Sequence, residues 1–264
     1  MTDAPRGRTG SPYLEVPFVA LAHRGFSLDG LENSMVAFAA ARDLGFRYVE
    51  TDAHATADGV AVALHDATLD RTTTAHGQVR DLPWSVVRAA RIGGREPVPL
   101  LEDLLGAWPD LRVNVDVKAD GAVAPVAAAI ERTGAHERVC VTSFSARRRR
   151  RTVALLSRPV TTSAGQAEVA AFVVGARLRA PGRPVVRTAL RDVDALQVPE
   201  RSGPLTVVDV RTLAAAHDAG RVVHVWTVDD PDDMHRLIDL GVDGIVTNRA
   251  DLLRAVLVDR GLWT

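Results

Sequence analysis

Short apolar runs alternate with longer amphipathic stretches almost from one end of the chain to the other. This alternation constrains the fold more than any other feature. The strand-like runs are Phe18–Ala22, Tyr48–Ala53, Arg112–Val117, Arg138–Ser143, Pro159–Thr162, Asp194–Val198, Val222–Val228 and Gly244–Thr247. Helix-like stretches fall near Met35–Leu44, Leu100–Ala107, Ala122–Thr133, Ala146–Leu156, Ala167–Leu178, Val210–Ala219 and Pro231–Leu240, and Ala250–Val258 closes the chain. Eight strand-then-helix units with mostly short connections predict a closed parallel α/β structure, a TIM (β/α)8 barrel. An open doubly wound sheet shares the local pattern, but no Gly-rich phosphate loop joins the first strand to its helix. The 264 residues match one barrel, which typically takes about 250.

One region breaks the alternation. Asp58-Gly59 stands between two strand-like runs, a hairpin signal because both residues tolerate positive φ. Tyr48–Ala55 and Val60–His65 are therefore expected to pair antiparallel. A two-residue turn would set Asp52 opposite His65, with opposed Cβ atoms roughly 5 Å apart. His65–Pro99, rich in Thr, Gly and Pro, continues as an insertion after the second strand, so that about residues 54–99 leave the barrel pattern. Residues 1–16 read as a mobile N-terminal tail and residues 17–264 as the barrel.

The formal net charge of −1 argues against a general nucleic-acid or membrane-surface binder. No run approaches the ~20 apolar residues of a membrane span. The polar start, Met1–Pro12, lacks a signal-peptide core, so the expectation is a cytoplasmic protein with a small-molecule partner. Cys140 is the only cysteine, which excludes an internal disulfide and a thiolate metal site. The Arg147–Arg151 run reads first as a solvated helix face and second as a phosphate or headgroup patch.

Barrel active sites form where strands end. The first strand ends at His23-Arg24, the second carries Glu50 and Asp52, and the third carries Asp116 and Lys118. Residues two apart share one face of a strand, and structural strands would fill these positions with apolar side chains. Three carboxylates at one mouth suit a hard divalent cation, Mg2+ or Ca2+, bound through oxygen. Direct pairing with Arg24 and Lys118 is the alternative. His23 and His65 would supply two imidazoles, one as general base and one as general acid. Arg24 and Lys118 have the chemistry to bind phosphate. His76, His136, His217 and His235 read as structural or surface residues; His54 reads first as structural and second as part of the site.

Ala22-His23-Arg24-Gly25, Glu32-Asn33-Ser34, Glu50-Thr51-Asp52, Asp58-Gly59 and His65-Asp66 with Leu69-Asp70-Arg71-Thr72-Thr73 resemble the glycerophosphodiester phosphodiesterases. Asn114–Lys118, Thr142-Ser143-Phe144, Trp226-Thr227-Val228 and Gly241–Gly244 extend the resemblance over about Ala22–Leu253. It implies hydrolysis of glycerophosphodiesters to glycerol 3-phosphate and an alcohol, with Mg2+ or Ca2+. On that resemblance His23 and His65 are the acid–base pair, and Glu50, Asp52 and Asp116 hold the metal. Arg24 and Lys118 then contact phosphate, Trp226 lines the substrate pocket, and Glu32 orients Arg24 or His23. The substrate's own glycerol hydroxyl would attack first, giving a cyclic phosphate that water opens. Two departures stand out: Asp116 replaces the usual Glu, and Leu31 replaces a usual Pro. A lysophospholipase D-type diesterase and a catalytically silent phosphodiester-binding barrel are the alternative readings.

Overall fold

In the computed structural model of the protein the described residues are 11–178 and 180–263. Eight parallel strands form where the alternation predicts them: β1 (Val19–His23), β2 (Tyr48–Ala55), β3 (Arg112–Val117), β4 (Val139–Thr142), β5 (Thr161–Thr162), β6 (Ala195–Val198), β7 (Val222–Val225) and β8 (Gly244–Thr247). Strands adjacent in sequence are adjacent in space, and β8 returns to pair with β1, placing Val19 beside Gly244. Between β5 and β6 the ladder thins to a Ser163–Ala195 bridge. There Asp194 N–H donates to Thr162 O at 2.9 Å and Ala164 N–H to Ala195 O at 3.0 Å, and the barrel is nearly closed.

Around it lie α1 (Met35–Asp43), α2 (Leu101–Ala107), α3 (Val123–Thr133), α4 (Ala146–Val153), α5 (Gln166–Arg177), α6 (Arg183–Ala189), α7 (Val210–Asp218), α8 (Pro231–Leu240) and α9 (Ala250–Asp259). Side-chain caps start several of them: the Ser34 hydroxyl accepts from Ala37 N–H, and Asp209 and Asp230 cap α7 and α8. α6 was not expected. A proline stands in its first turn, which is compatible with helix because its missing N–H would have no partner there.

The strand period of two sorts the core. Val49, Val113, Val115, Val139, Val141, Val223 and Ile245 belong to one large apolar cluster with the helices. The alternate positions include Val19, Leu21, Tyr48, Cys140, Ala195, Val222 and Val246, which form a second cluster. Further along the same alternate rows stand His23, Glu50, Asp52 and Asp116, at the strand ends.

Three expectations need correction. The N-terminal tail does not extend to residue 16: Pro12–Leu14 forms a 3-10 turn, with Tyr13 and Leu14 buried in the second cluster. Tyr48 Oη donates to Tyr13 O at 2.6 Å, and the Arg112 guanidinium donates to Pro12 O. Residues 1–10 lie outside the described residues. The arginine run is not a plain solvated face: Arg149 is buried, with a nitrogen 2.9 Å from Glu168, which also accepts from Arg150.

The hairpin turn is one residue longer than expected. Ala53 pairs with Ala63 and Ala55 with Ala61, so Asp52 faces Leu64, whose N–H donates to Asp52 O. Thr56 N–H donates to Val60 O, leaving Ala57-Asp58-Gly59 as the turn with Gly59 at φ +79°. Asp58 Oδ1 accepts from the Thr56 hydroxyl at 2.6 Å and from Trp84 N–H at 2.9 Å. These side-chain bonds favour the longer loop over the two-residue turn. The insertion has its own small core of Leu64, Leu69, Val79, Val87, Ala90, Ile92 and Val98, into which Leu31 packs.

Candidate active site

His23, Arg24, Glu50, Asp52, His65, Asp116, Lys118 and Trp226 all line one cavity of about 350 Å3 at the C-terminal mouth of the barrel. Adjacent strands bring the carboxylates together, because His23 sits in register with Glu50 and Asp52 with Asp116. His65 arrives by the hairpin despite the shifted register, lying one residue beyond the Asp52–Leu64 pair. Glu32 stands behind the wall and holds Arg24, with Arg24 Nη1 donating to Glu32 Oε1 at 2.9 Å. Its tie to His23 is electrostatic only, a weak upward push on the ring's pKa that burial and Arg24 outweigh.

The β1–α1 loop has a strained backbone. Arg24 and Asn33 both take left-handed conformations, φ +56° and +59°, which non-glycine residues rarely adopt. Asn33 N–H donates to Arg24 O, closing the loop. Between them Gly25, at φ +81°, passes so close to α1 that a Cβ would lie 2.6 Å from the Ala37 carbonyl carbon. The side chain of buried Asn33 then locks the site from below. It donates to Asp52 Oδ2 at 3.2 Å and accepts from the Thr51 hydroxyl at 2.7 Å.

Asp52 is the electrostatic centre. Lys118 Nζ lies 2.7 Å from Asp52 Oδ1 and 2.7 Å from Asp116 Oδ2, and Arg24 Nε lies 3.0 Å from Asp52 Oδ2. Burial pushes the Asp52 carboxyl up, but the Lys118 and Arg24 charges outweigh it and hold the group below its usual range. Lys118 is shifted the other way: burial disfavours its charge, while Asp116 and Asp52 more than restore it. Burial, then the Asp52 charge, drives Glu50 well above the ordinary carboxylate value. Burial also raises Asp116, whose Oδ1 is enclosed with no hydrogen-bond partner.

A cation would meet an all-oxygen donor set here, the kind that Mg2+ and Ca2+ prefer. The unpartnered Asp116 oxygen is an observation in favour of that fit. Among the described residues no three His, Cys, Asp or Glu side chains close into a ready metal cage. The reason is visible in the contacts, since Lys118 sits between Asp52 and Asp116. Asp52 and Asp116 are thus paired directly with the basic residues, whereas Glu50 faces His23 and the Arg24 backbone N–H.

Each histidine has its own partner. His23 Nδ1 lies 2.7 Å from Asn248 Oδ1, and its Nε2 lies 3.8 Å from Glu50 Oε2. Burial, then the Arg24 charge, lowers its pKa below the ordinary histidine value. His65 Nδ1 instead lies 2.6 Å from Asp66 Oδ1, and Arg71 Nε donates to Asp66 Oδ2 at 2.6 Å. Arg71 also reaches Glu32, so a chain of ion pairs runs from Arg24 through Glu32, Arg71 and Asp66 to His65. The hydrogen bond from Arg71, then that from His65, holds Asp66 down at about 2.

The sequence reading assigned no role to Asp66, Asn33, Asn248 or Asp229. Asn248 could have been found, because it stands one residue past the end of β8, where barrel sites form. His54 reaches the His65 carbonyl with Nε2 at 3.2 Å and takes no part in the cavity wall. His136 is paired with Glu131, His217 with Asp243, His76 with Asp70 and His235 with Arg260, all away from the cavity.

Much of the remaining cavity lining is uncharged, and it begins at Phe144, whose ring centroid lies 5.7 Å from Lys118 Nζ. Phe144, Val169, Val198, Pro199, Val207 and Trp226 form it together with Gln166, Gln197 and Ser202. Phe144 meets Trp226 edge-on, with ring centroids 6.0 Å apart.

A (β/α)8 barrel with carboxylates, two histidines and phosphate-suited cations at its C-terminal mouth defines the class of barrel hydrolases that act on phosphate esters. The chain belongs to the Glycerophosphoryl diester phosphodiesterase family, whose profile matches residues 23–252. It is 49% identical over 246 residues to the Mycobacterium tuberculosis protein named Probable glycerophosphodiester phosphodiesterase 2, covering 93% of this chain and 92% of that one. In three dimensions it resembles the glycerophosphodiester phosphodiesterase of Agrobacterium tumefaciens, with a TM-score of 0.73 and 24% identity over 91% of this chain and 99% of the other. An Oleispira antarctica phosphodiesterase solved with the product sn-glycerol-3-phosphate superposes with a TM-score of 0.74 and 17% identity, covering 91% and 96% of the two chains.

Proposed function

We propose that the protein hydrolyses glycerophosphodiesters to glycerol 3-phosphate and an alcohol, using His23 and His65 as an acid–base pair. The observation that carries this reading is the presence of both imidazoles and both Arg24 and Lys118 in one cavity wall, with separate anchors for each histidine. Relatives named for the same activity support the substrate class.

The reacting phosphoryl group sits against Arg24 and Lys118, whose charges offset the negative charge that builds on phosphorus-bound oxygen. One imidazole takes the proton from the substrate's glycerol hydroxyl as its oxygen bonds to phosphorus. The other gives a proton to the alcohol oxygen as the second P–O bond breaks. The histidines then exchange roles while water opens the cyclic phosphate. Glu50, Asp52 and Asp116 are the residues that would hold Mg2+ or Ca2+, with Lys118 moving off Asp52 and Asp116. When bound, such a cation supplies positive charge to the phosphoryl oxygens. Trp226 and the uncharged wall beside it receive the organic part of the substrate.

A soluble diester is favoured over a lysophospholipid by the insertion. Its exposed Val86 and half-buried Leu82 and Trp84 do not line the cavity, so the insertion brings no apolar lip to the site. Among the described residues no helix is long and apolar enough to cross a membrane.

The test is to incubate the protein with glycerophosphocholine, glycerophosphoethanolamine and a lysophospholipid, with Mg2+, Ca2+ or EDTA. Cation-dependent release of glycerol 3-phosphate from the two soluble diesters is expected. Turnover of the lysophospholipid alone would overturn the substrate assignment, and undiminished turnover in EDTA would overturn the cation requirement.

A further inference from the structure

The carboxylate of Asp229 collects three hydrogen bonds from the residues at the end of β8. The Thr247 hydroxyl donates to Oδ1 at 2.9 Å and Asn248 N–H donates to the same oxygen at 2.7 Å. Asn248 Nδ2 donates to Oδ2 at 2.8 Å. Those contacts fix which way the Asn248 amide faces, because its carbonyl oxygen cannot point at a carboxylate. Asn248 Oδ1 is left facing His23 Nδ1 at 2.7 Å. A carbonyl oxygen only accepts, so His23 Nδ1 must carry the hydrogen. In the neutral ring that leaves Nε2 with a free lone pair, on the ring edge toward Glu50 and the cavity. The partner of His65 differs in kind. It is the carboxylate of Asp66.

We propose that Asp229 and Asn248 are positioning residues that hold His23 in the Nδ1–H tautomer, so that Nε2 is the ring nitrogen that exchanges the proton with substrate. This rests on the glycerophosphodiesterase reading, and it names the residues that fix which nitrogen of His23 does the proton work. Whichever proton His23 handles, from the glycerol hydroxyl or to the alcohol oxygen, passes through Nε2, and His65 handles the other. Water opening the cyclic phosphate reverses both transfers, so neither residue is consumed.

The carboxylate and the amide are interchangeable in this scheme, provided both are exchanged. With Asn at 229 and Asp at 248, the amide still donates across the pair and a carboxylate oxygen still faces His23 Nδ1–H. The experiment compares wild type, Asn248→Leu, Asp229→Asn and the double exchange Asp229→Asn/Asn248→Asp. In histidine-15N-labelled protein, with His23 assigned from His23→Ala, the ring nitrogens report the tautomer directly. Wild type and the double exchange should show protonated Nδ1 and pyridine-like Nε2. Asn248→Leu should lose that preference, with kcat on glycerophosphocholine falling by about 100-fold, within the usual range for a general base, and KM changing less than about threefold. The double exchange should recover to within about fivefold of wild type, while Asp229→Asn alone should not.

A wild-type His23 protonated on Nε2, or an Asn248→Leu variant that keeps both tautomer and kcat, would overturn the proposal. If Asn248→Leu fails to fold, the wild-type spectrum and the double exchange still decide. A protein with the stated tautomer but no turnover of any diester would sink the substrate reading and leave the positioning pair standing.

Discussion

The Lys118 ammonium lies 2.7 Å from Oδ1 of Asp52, the carboxylate oxygen that a bound divalent cation would also claim. The same nitrogen is 2.7 Å from Asp116. Lys118 therefore acts as an internal cation for two buried carboxylates, and on the proposed metal site a divalent cation would compete with it. Lys118→Met should bind Mg2+ at least about threefold more tightly by calorimetry, although turnover falls because phosphate loses a partner. Equal or weaker Mg2+ binding in that variant would contradict the competition.

Asp66 holds His65 by its Nδ1, and Arg71 holds Asp66 in turn. Asp66→Asn keeps the shape but removes the negative charge that His65 and Arg71 share. We expect kcat to fall about 10-fold or more with KM nearly unchanged, a split that steady-state kinetics on glycerophosphocholine will read. A loss confined to KM would mean that Asp66 serves substrate binding instead.

His224 is fully buried in β7, its Nε2 lacks a partner, and burial lowers its pKa from 6.5 to about 4. Between those values the unfolded chain binds a proton that the folded protein refuses. Stability is therefore complete above pH 6.5 and declines as the pH falls toward 4, with no further loss from this group below that. The gap corresponds to roughly 3 kcal/mol. His224→Gln should flatten the urea-unfolding free energy over this window, and an unchanged pH slope would contradict the assignment.

Tyr13 is wholly buried against Tyr48, with ring centroids 5.1 Å apart and edge-on. Truncating a buried aromatic to alanine costs about 3–5 kcal/mol. Tyr13→Ala should lose stability of that order in denaturant titrations while leaving the distant mouth chemistry intact in the surviving folded fraction. A loss below about 1 kcal/mol would mean that this segment does not seal the barrel.

The eight strands were legible because apolar runs alternating with amphipathic ones carry two distinct periods, and β3 and β8 match their expected limits residue for residue. The gathering of His23, Glu50, Asp52, Asp116 and Lys118 was legible too, since strand ends in a barrel converge. Other features had no local signature. The turn at Asp58 depends on a hydrogen bond from Trp84 N–H, 26 residues away, so the register slipped by one. Tyr13 is tied to Tyr48, and the partner of Arg149 is Glu168; both are tertiary choices that a window of sequence does not contain. Asn248 went unassigned because an amide carries no charge to attract notice, although its place at the end of β8 is where a search for histidine partners belongs.

The central claim is that two imidazoles on one phosphodiester do the proton work. It is tested most directly by measuring glycerol 3-phosphate release from glycerophosphocholine by wild type, His23→Ala and His65→Ala under identical Mg2+. The account predicts turnover in wild type and a fall of at least about 100-fold in each variant, with both variants still folded. Undiminished release by either variant would contradict it.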